Sequence, residues 1–145
     1  MEIVFPEIHV MYGMDQTSEW HHKDIFAHTL QVVDNAAKLT DKMEIRFAAL
    51  VHDIAKPATR KIDPVKGYTF HGHDAIGERM LHKVAKRLRL SNQLASYIKK
   101  LTLLHLRPIA IAKSEVTDSA VRRLMVAAGE EIEDLMTLCR ADITT

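Results

Sequence analysis

An apolar run near the middle of the sequence is interrupted by two side chains that can do chemistry, His52 and Asp53. The neighbouring residues 48–55 are otherwise alanine, leucine, valine and isoleucine, so both side chains are expected to be buried. Burying an imidazole and a carboxylate costs several kcal/mol unless each has a partner. A metal ion is one partner that serves both, and we therefore expect a metal site at the carboxyl-terminal end of a buried helix.

Four further side chains could complete such a site, since each falls on a predicted helix among apolar neighbours: His28, His73, His105 and Asp142. Imidazole and carboxylate together suit Mn, Fe, Ni, Co or Zn, and Mg where the oxygen share is large. Six ligands exceed those of a closed tetrahedral zinc site. They suit two octahedral ions that share a carboxylate, an arrangement with ions ~3.5–4 Å apart that can generate hydroxide and clamp a phosphoryl group. The expected cofactor is one or two divalent ions.

Each of these residues, taken alone, has a simpler explanation. A single histidine on an apolar face, such as His28 or His105, is usually a hydrogen-bonded core residue. His73 alone could be an ordinary first-turn residue, and Asp142 could be solvated. The prediction of a metal site depends on all of them occurring together.

Composition narrows the classes of protein that the chain can represent. Its 145 residues, 47% hydrophobic and 27% charged, suit one globular domain. The net charge of +1 gives no overall basic field that would favour nucleic acid. The single cysteine, Cys139, excludes an internal disulfide. No apolar run approaches the ~18 residues of a membrane span, and the start of the chain lacks the pattern of a signal peptide, so we expect a cytoplasmic protein without a membrane partner.

Helical periodicity predicts an all-α fold, a single domain over residues 1–145. The expected helices number five or six, over residues 24–39, 42–55, 73–88, 92–106, 120–128 and 130–143. Residues 1–21 are expected to be largely irregular and to pack on the core through Phe5, Ile8, Val10, Met11 and Trp20.

Local signals predict where these helices begin and end. Capping side chains are expected at Asp24, Asp41 and Ser91, and at Thr117 or Asp118. Pro57 and Pro108 are each expected to end a helix. Residues 58–71 read as a loop, with a short extended piece at 68–70.

The order of the candidate ligands, His28, then His52 with Asp53, then Asp142, resembles the pattern of the HD-domain metal-dependent phosphohydrolases. Longer segments are similar to the HD region of bacterial CCA-adding tRNA nucleotidyltransferases, the poly(A) polymerase-like family; they lie at residues 22–30, 50–59, 68–74, 104–108, 117–124 and 140–144. The resemblance extends over nearly the whole chain, and the combination of motifs is specific although no single motif is.

This resemblance implies a helical bundle around a metal centre, with 2′,3′-cyclic phosphodiesterase, 2′-nucleotidase and phosphatase activity in some members. By motif, the first ion would be held by His28, His52, Asp53 and Asp142. The positions that match the extra histidines of HD proteins with two ions are His73 and His105. Lys56, three residues after Asp53, matches a lysine that faces the phosphate.

Two more residues are candidates for substrate contact. Arg107 follows shortly after His105, and His22 precedes the first metal helix; an ordinary solvated position is the alternative for both. The family's nucleotide-adding domain, with its Gly-Ser motif and paired acids, has no counterpart in this sequence. We therefore expect either a separate HD domain or a stand-alone relative, which cannot itself add nucleotides.

The sequence thus predicts a metal-dependent phosphohydrolase that acts on nucleotide or RNA-end phosphate esters as a phosphodiesterase, phosphatase or nucleotidase. Asp53 would orient or deprotonate the attacking water, while Lys56 and Arg107 would neutralise phosphate. One alternative is a non-catalytic, metal-containing module that helps to position tRNA for a CCA-adding enzyme. Another is a free-standing nucleotidase or a hydrolase of signalling nucleotides.

Overall fold

The computed structural model describes residues 4–16, 24–113 and 117–144, and within these ranges it is helical apart from one small hairpin. The elements in chain order are α1 (Pro6–His9), α2 (Ile25–Leu39), α3 (Met43–Val51), α4 (Lys56–Thr59), β1 (Lys61–Asp63), β2 (Gly67–Thr69), α5 (His73–Arg87), α6 (Asn92–Leu104), α7 (Arg107–Lys113), α8 (Asp118–Ala128), a 3-10 turn (Gly129–Glu131) and α9 (Ile132–Ile143). The all-α prediction is confirmed. No helix in the described ranges is long and apolar enough to cross a membrane.

Two helices begin at the side chains that the sequence predicts as caps. Asp24 precedes α2, and its Oδ1 accepts a hydrogen bond from the Ala27 amide at 2.6 Å. Its Oδ2 accepts from the Gly13 amide at 2.8 Å, so one carboxylate joins the N-terminal segment to α2. Ser91 caps α6 by accepting from the Leu94 amide at 3.1 Å. Each cap satisfies one of the amides that a helix start leaves unpaired.

Of the other two predicted caps, one is present and one is not. Thr117, rather than Asp118, caps α8 by accepting from the Ala120 amide at 3.3 Å. The predicted cap at Asp41 is wrong, because Lys42 occupies the N-cap position of α3 and its side chain makes no capping bond. The Lys42 amide instead donates to Thr40 Oγ1 at 3.1 Å.

The second long helix ends four residues earlier than predicted, at Val51. Pro57 prevents one helix from running on through residues 53–57, because its ring would press against the carbonyl of Asp53. The chain turns instead, and the Asp53 carbonyl accepts from the Lys56 amide at 3.0 Å. Pro57 lies in the first turn of α4, where its missing amide is not needed.

A second proline also begins a helix rather than ending one. α6 ends at Leu104, close to the expected position, but Pro108 then lies in the first turn of α7, a short helix that the sequence analysis missed. The segment 58–71, expected as a loop, contains the antiparallel pair β1 and β2, with Ile62 opposite Tyr68. Asp63 accepts from the backbone amides two and three residues later and thereby holds the turn.

Helix α3 lies at the centre of the bundle, packed against α2, α6 and α9. Its inward positions Ala48, Ala49 and Val51 are fully buried. Beside it, α5 and α6 approach closely at Gly77, where an added Cβ would lie 2.9 Å from a methyl of Thr102. These contacts hold α3 and the α5–α6 pair in fixed positions within the bundle.

The N-terminal segment packs on this bundle largely as predicted. Phe5, Ile8 and Met11 are buried in the core. Val10 is not, since 49% of it is exposed on the outer side of the segment. Trp20 lies outside the described residues.

Replacing Asp24 by Ala should lower the free energy of unfolding by about 1–2 kcal/mol. The substitution removes both the cap of α2 and the bond to the Gly13 amide. Ser91→Ala is the matched control, because it removes a cap alone, at about 1 kcal/mol. Urea unfolding measures the stability, and amide hydrogen exchange at Gly13 should rise in Asp24→Ala only. Equal exchange at Gly13 in the two variants would contradict this role for Asp24.

Candidate metal centre

The structure brings all six predicted ligand side chains together, and each comes from the end of an element. His28 lies in the first turn of α2, and His52 and Asp53 lie in the turn after α3. His73 is the first residue of α5, His105 directly follows α6, and Asp142 lies in the last turn of α9. Five of these side chains are buried and Asp142 is half-buried.

The first group of ligand atoms surrounds Oδ2 of Asp53. His52 Nε2 lies 3.1 Å from this oxygen, and His28 Nε2 lies 3.7 Å from it. Asp142 completes the group, with its Oδ1 2.9 Å from His28 Nε2 and 3.5 Å from His52 Nε2. One ligand atom from each of the four residues lies within 4.8 Å of all the others.

The second group surrounds the other oxygen of the same carboxylate. His73 Nε2 lies 3.1 Å from Oδ1 of Asp53, and His105 Nε2 lies 3.5 Å from it. The two Nε2 atoms are themselves 3.1 Å apart. Asp53 is therefore common to both groups and presents one oxygen to each.

The orientation of three imidazoles is set by the backbone. In His52, His73 and His105, Nδ1 lies within hydrogen-bond distance of the carbonyl three residues earlier in the chain. A carbonyl can only accept, so Nδ1 carries a proton in each ring, and Nε2 is the nitrogen that faces Asp53. Facing lone pairs of His73 and His105 repel unless a proton or a metal ion lies between them. A metal-ligating histidine commonly has this backbone bond at its other nitrogen.

Unsatisfied buried atoms also indicate a cation. Neither His52 Nε2 nor Asp53 Oδ2 has a hydrogen-bond partner among the described residues. A buried polar atom without a partner costs roughly 1–3 kcal/mol. A divalent ion bound to both atoms would remove that cost, so the donor set fits a metal.

The charges of the site are strongly coupled to one another. Burial works against a charged His52, but Asp53 and Asp142 outweigh it and raise the pKa of this imidazole to about 10. Burial also opposes ionisation of Asp53, yet His52 and Lys56 hold the pKa of its carboxyl well below the usual range. His105 differs, because burial is the largest influence on it and lowers the pKa of its imidazole. In the absence of a metal ion, His52 therefore carries a second proton, on Nε2, near neutral pH.

Lys56 supplies the remaining positive charge of the site. Its ammonium lies 3.2 Å from Asp53 Oδ2 and 3.0 Å from the side-chain carbonyl of Gln16. The ring of Phe70 lies beneath it, with the ring centre 5.2 Å from Nζ. Only 6% of Lys56 is exposed.

All of the ligand side chains except the fully buried His52 line a cleft of about 750 Å³. The cleft is also lined by Tyr68 of β2, by Phe70 just after that strand and by Ile109 of α7, none of which was proposed from the sequence as a site residue. Arg107 is exposed at the start of α7 and is not among the residues that line the cleft. His22 lies outside the described residues, so its suggested substrate contact stays a prediction.

Comparison with known families identifies the same region. A family model described as the HD domain matches residues 25–145. This range includes all six ligand side chains and Lys56, but neither α1 nor Gln16.

Two curated relatives are each named a multifunctional CCA protein. The protein from Shewanella denitrificans is 41% identical over 93 residues, and that from Shewanella frigidimarina is 38% identical over 92 residues. Each match covers 63% of this chain and 22% of the relative, so the chain matches about a fifth of the length of these relatives. The resemblance inferred from the motifs is confirmed.

Metal binding should release about one proton and should weaken as the pH falls. A protonated His52 cannot bind a metal, and with its pKa raised to about 10 the ring is charged at neutral pH. The apparent affinity should therefore rise about tenfold per pH unit between pH 6 and 8. Calorimetric titration with Mn²⁺ in buffers of different ionisation enthalpy measures both effects. An affinity that does not change over this range, with no proton released, would contradict the protonation of His52.

Proposed function

The chain belongs to the HD domain family, and on that basis we propose that it is a metal-dependent phosphohydrolase acting on nucleotide or RNA-end phosphate esters. The observation that carries the proposal is the Asp53 carboxylate, which presents one oxygen to each of two ligand groups at the floor of a cleft. Such a shared carboxylate suits a pair of ions that together bind one phosphoryl group.

The assignment of ligands to ions follows the two groups of atoms. The first ion would be held by His28, His52, Asp53 and Asp142, and the second by Asp53, His73 and His105. Imidazole mixed with carboxylate suits Mn, Fe, Ni or Zn, and the carboxylate share also admits Mg. When bound, the ions supply Lewis acidity that lowers the pKa of water and stabilises charge on phosphoryl oxygens.

The side chains of the site have separate roles in this proposal. Because the pKa of Asp53 is held well below the usual range, its carboxylate is a weak base. It is better suited to orient the attacking water through an accepted hydrogen bond than to remove the proton. Lys56 neutralises phosphate charge, and among the described residues that line the cleft it is the one lysine or arginine. Arg107, proposed from the sequence for the same task, would have to reach the substrate from outside this lining.

Two features support a nucleotide or RNA end as the substrate. The curated relatives are named as CCA proteins, which favours a substrate related to the end of an RNA. Tyr68 and Phe70 line the cleft that leads to the ligand groups, and aromatic rings stack well on nucleobases.

A second candidate function is a non-catalytic, metal-containing module that binds tRNA for a CCA-adding enzyme. The ion pair between Lys56 and Asp53 favours it, because an ammonium held by this carboxylate is less available to a substrate phosphate. Binding of tRNA without turnover of any phosphate ester would support the module. Turnover that depends on the metal would support the enzyme.

Replacing Asp53 by Ala should remove both ions and abolish hydrolysis of a generic phosphodiester such as bis(p-nitrophenyl) phosphate. His105→Ala should remove one ion and leave the other, because His105 belongs to the second ligand group alone. Asp134→Asn is the matched control, since this carboxylate pairs with Lys42 and Tyr97 away from the site. Metal content by mass spectrometry and the rate with added Mn²⁺ or Ni²⁺ measure the outcome.

An unchanged hydrolysis rate in Asp53→Ala would contradict the proposed mechanism. Loss of both ions in His105→Ala, with the fold intact by circular dichroism, would contradict the division into two ligand groups. The control should keep the metal content and the rate of the unaltered protein.

A further inference from the structure

We propose that Gln16 is a positioning residue that holds the ammonium group of Lys56 at the proposed phosphate site. This inference rests on the proposed function, because it assigns a task to Lys56 in binding phosphate. Gln16 precedes residues 25–145, the range that matches the HD family. The N-terminal segment would thereby contribute to a site whose other side chains all come from the matched region.

The contact between these two side chains is buried and polar. Gln16 is 0% exposed, and its Oε1 accepts a hydrogen bond from Lys56 Nζ at 3.0 Å. An ammonium can only donate, so the amide must present its oxygen to Lys56. Its Nε2 then has no hydrogen-bond partner among the described residues. A buried amide and a buried ammonium are both costly to desolvate, so a pair of them beside the ligand groups favours a functional reason for the contact.

The segment that carries Gln16 is held by hydrogen bonds to two other parts of the fold. The Met14 carbonyl accepts from the Ile25 amide at 2.9 Å, at the start of the helix that carries His28. The Asp15 carbonyl accepts from Arg60 Nη1 at 3.0 Å, just beyond the helix that carries Lys56. Gln16 is therefore placed by hydrogen bonds to the two carbonyls that precede it, one from a backbone amide and one from the Arg60 guanidinium.

The contacts of the Lys56 ammonium indicate what Gln16 would contribute. Lys56 has three N–H donors. One faces Asp53 at 3.2 Å and one faces Gln16, which leaves the third for a phosphate oxygen. Without Gln16, the ion pair with Asp53 is the only polar side-chain contact of this ammonium among the described residues. The ammonium would then settle on the same carboxylate oxygen that faces His52, away from an incoming phosphate.

A double-mutant cycle tests this role. Binding of inorganic phosphate to the Mn²⁺-loaded protein is measured by calorimetry for Gln16→Met, Lys56→Met and the double variant. Gln16→Met keeps the length of the side chain and removes the acceptor; it should weaken phosphate binding about tenfold, as expected for one charged hydrogen bond. In the Lys56→Met background the same change should have no further effect. Gln93→Leu, at an exposed position on α6, is the control and should bind phosphate normally.

A spectroscopic measurement separates positioning from a general loss of structure. The buried, hydrogen-bonded ammonium of Lys56 should give a slowly exchanging ¹H–¹⁵N signal in the unaltered protein and in Gln93→Leu. Gln16→Met should lose this signal while keeping its metal content. Gln16→Glu keeps an acceptor and should keep the signal, which preserves the test if Gln16→Met does not fold.

Three results would overturn the inference: phosphate binding unchanged in Gln16→Met, losses that add in the double variant, or loss of the ammonium signal in Gln16→Glu. Failure of the proposed function looks different. In that case phosphate binding depends on Gln16 and Lys56 as expected, but the unaltered metal-loaded protein hydrolyses no phosphate ester.

Discussion

A buried carboxylate that needs positive charge on both of its oxygens is the constraint on which the rest of the structure depends. Asp53 is 2% exposed, and nitrogen atoms of five side chains lie within 3.7 Å of its two oxygens. Neutral imidazoles do not balance this charge, and among the five side chains Lys56 is the one that carries an ammonium group. The remaining positive charge must come from metal ions or from a proton on His52, and burial opposes that protonation. Competition between protons and metal ions follows directly from this arrangement.

The ends of helices suit such a site because their last carbonyls have no partner within the helix. His52 follows α3 and His105 follows α6, and each directs its Nδ1 to one of these carbonyls, three residues earlier. The same bond satisfies the helix end and turns Nε2 toward Asp53. His73 is held by the equivalent contact to Phe70, next to the hairpin. Backbone geometry thus orients three ligands without any additional side chain.

Much of this organisation could be predicted from the sequence. Helical periodicity located the long helices, and an apolar run broken by His52 and Asp53 located the centre of the site. The effect of the two prolines was harder to predict, since a proline can end one helix or begin the next. At Pro57 and at Pro108, one helix ends and another begins within a few residues. Gln16 could not be predicted, because it lies in a segment without periodicity and touches Lys56 forty residues away. Nor does the sequence show that Lys56 is buried, since lysines at helix ends are usually solvated.

The central claim is that Asp53 lies between two metal ions. Anomalous diffraction at the manganese edge, from crystals grown with Mn²⁺, tests it most directly. We expect two anomalous peaks, one beside each oxygen of Asp53, the first near His28, His52 and Asp142 and the second near His73 and His105. A crystal without any peak at Asp53 at saturating Mn²⁺, with these side chains hydrogen-bonded to one another instead, would contradict the account.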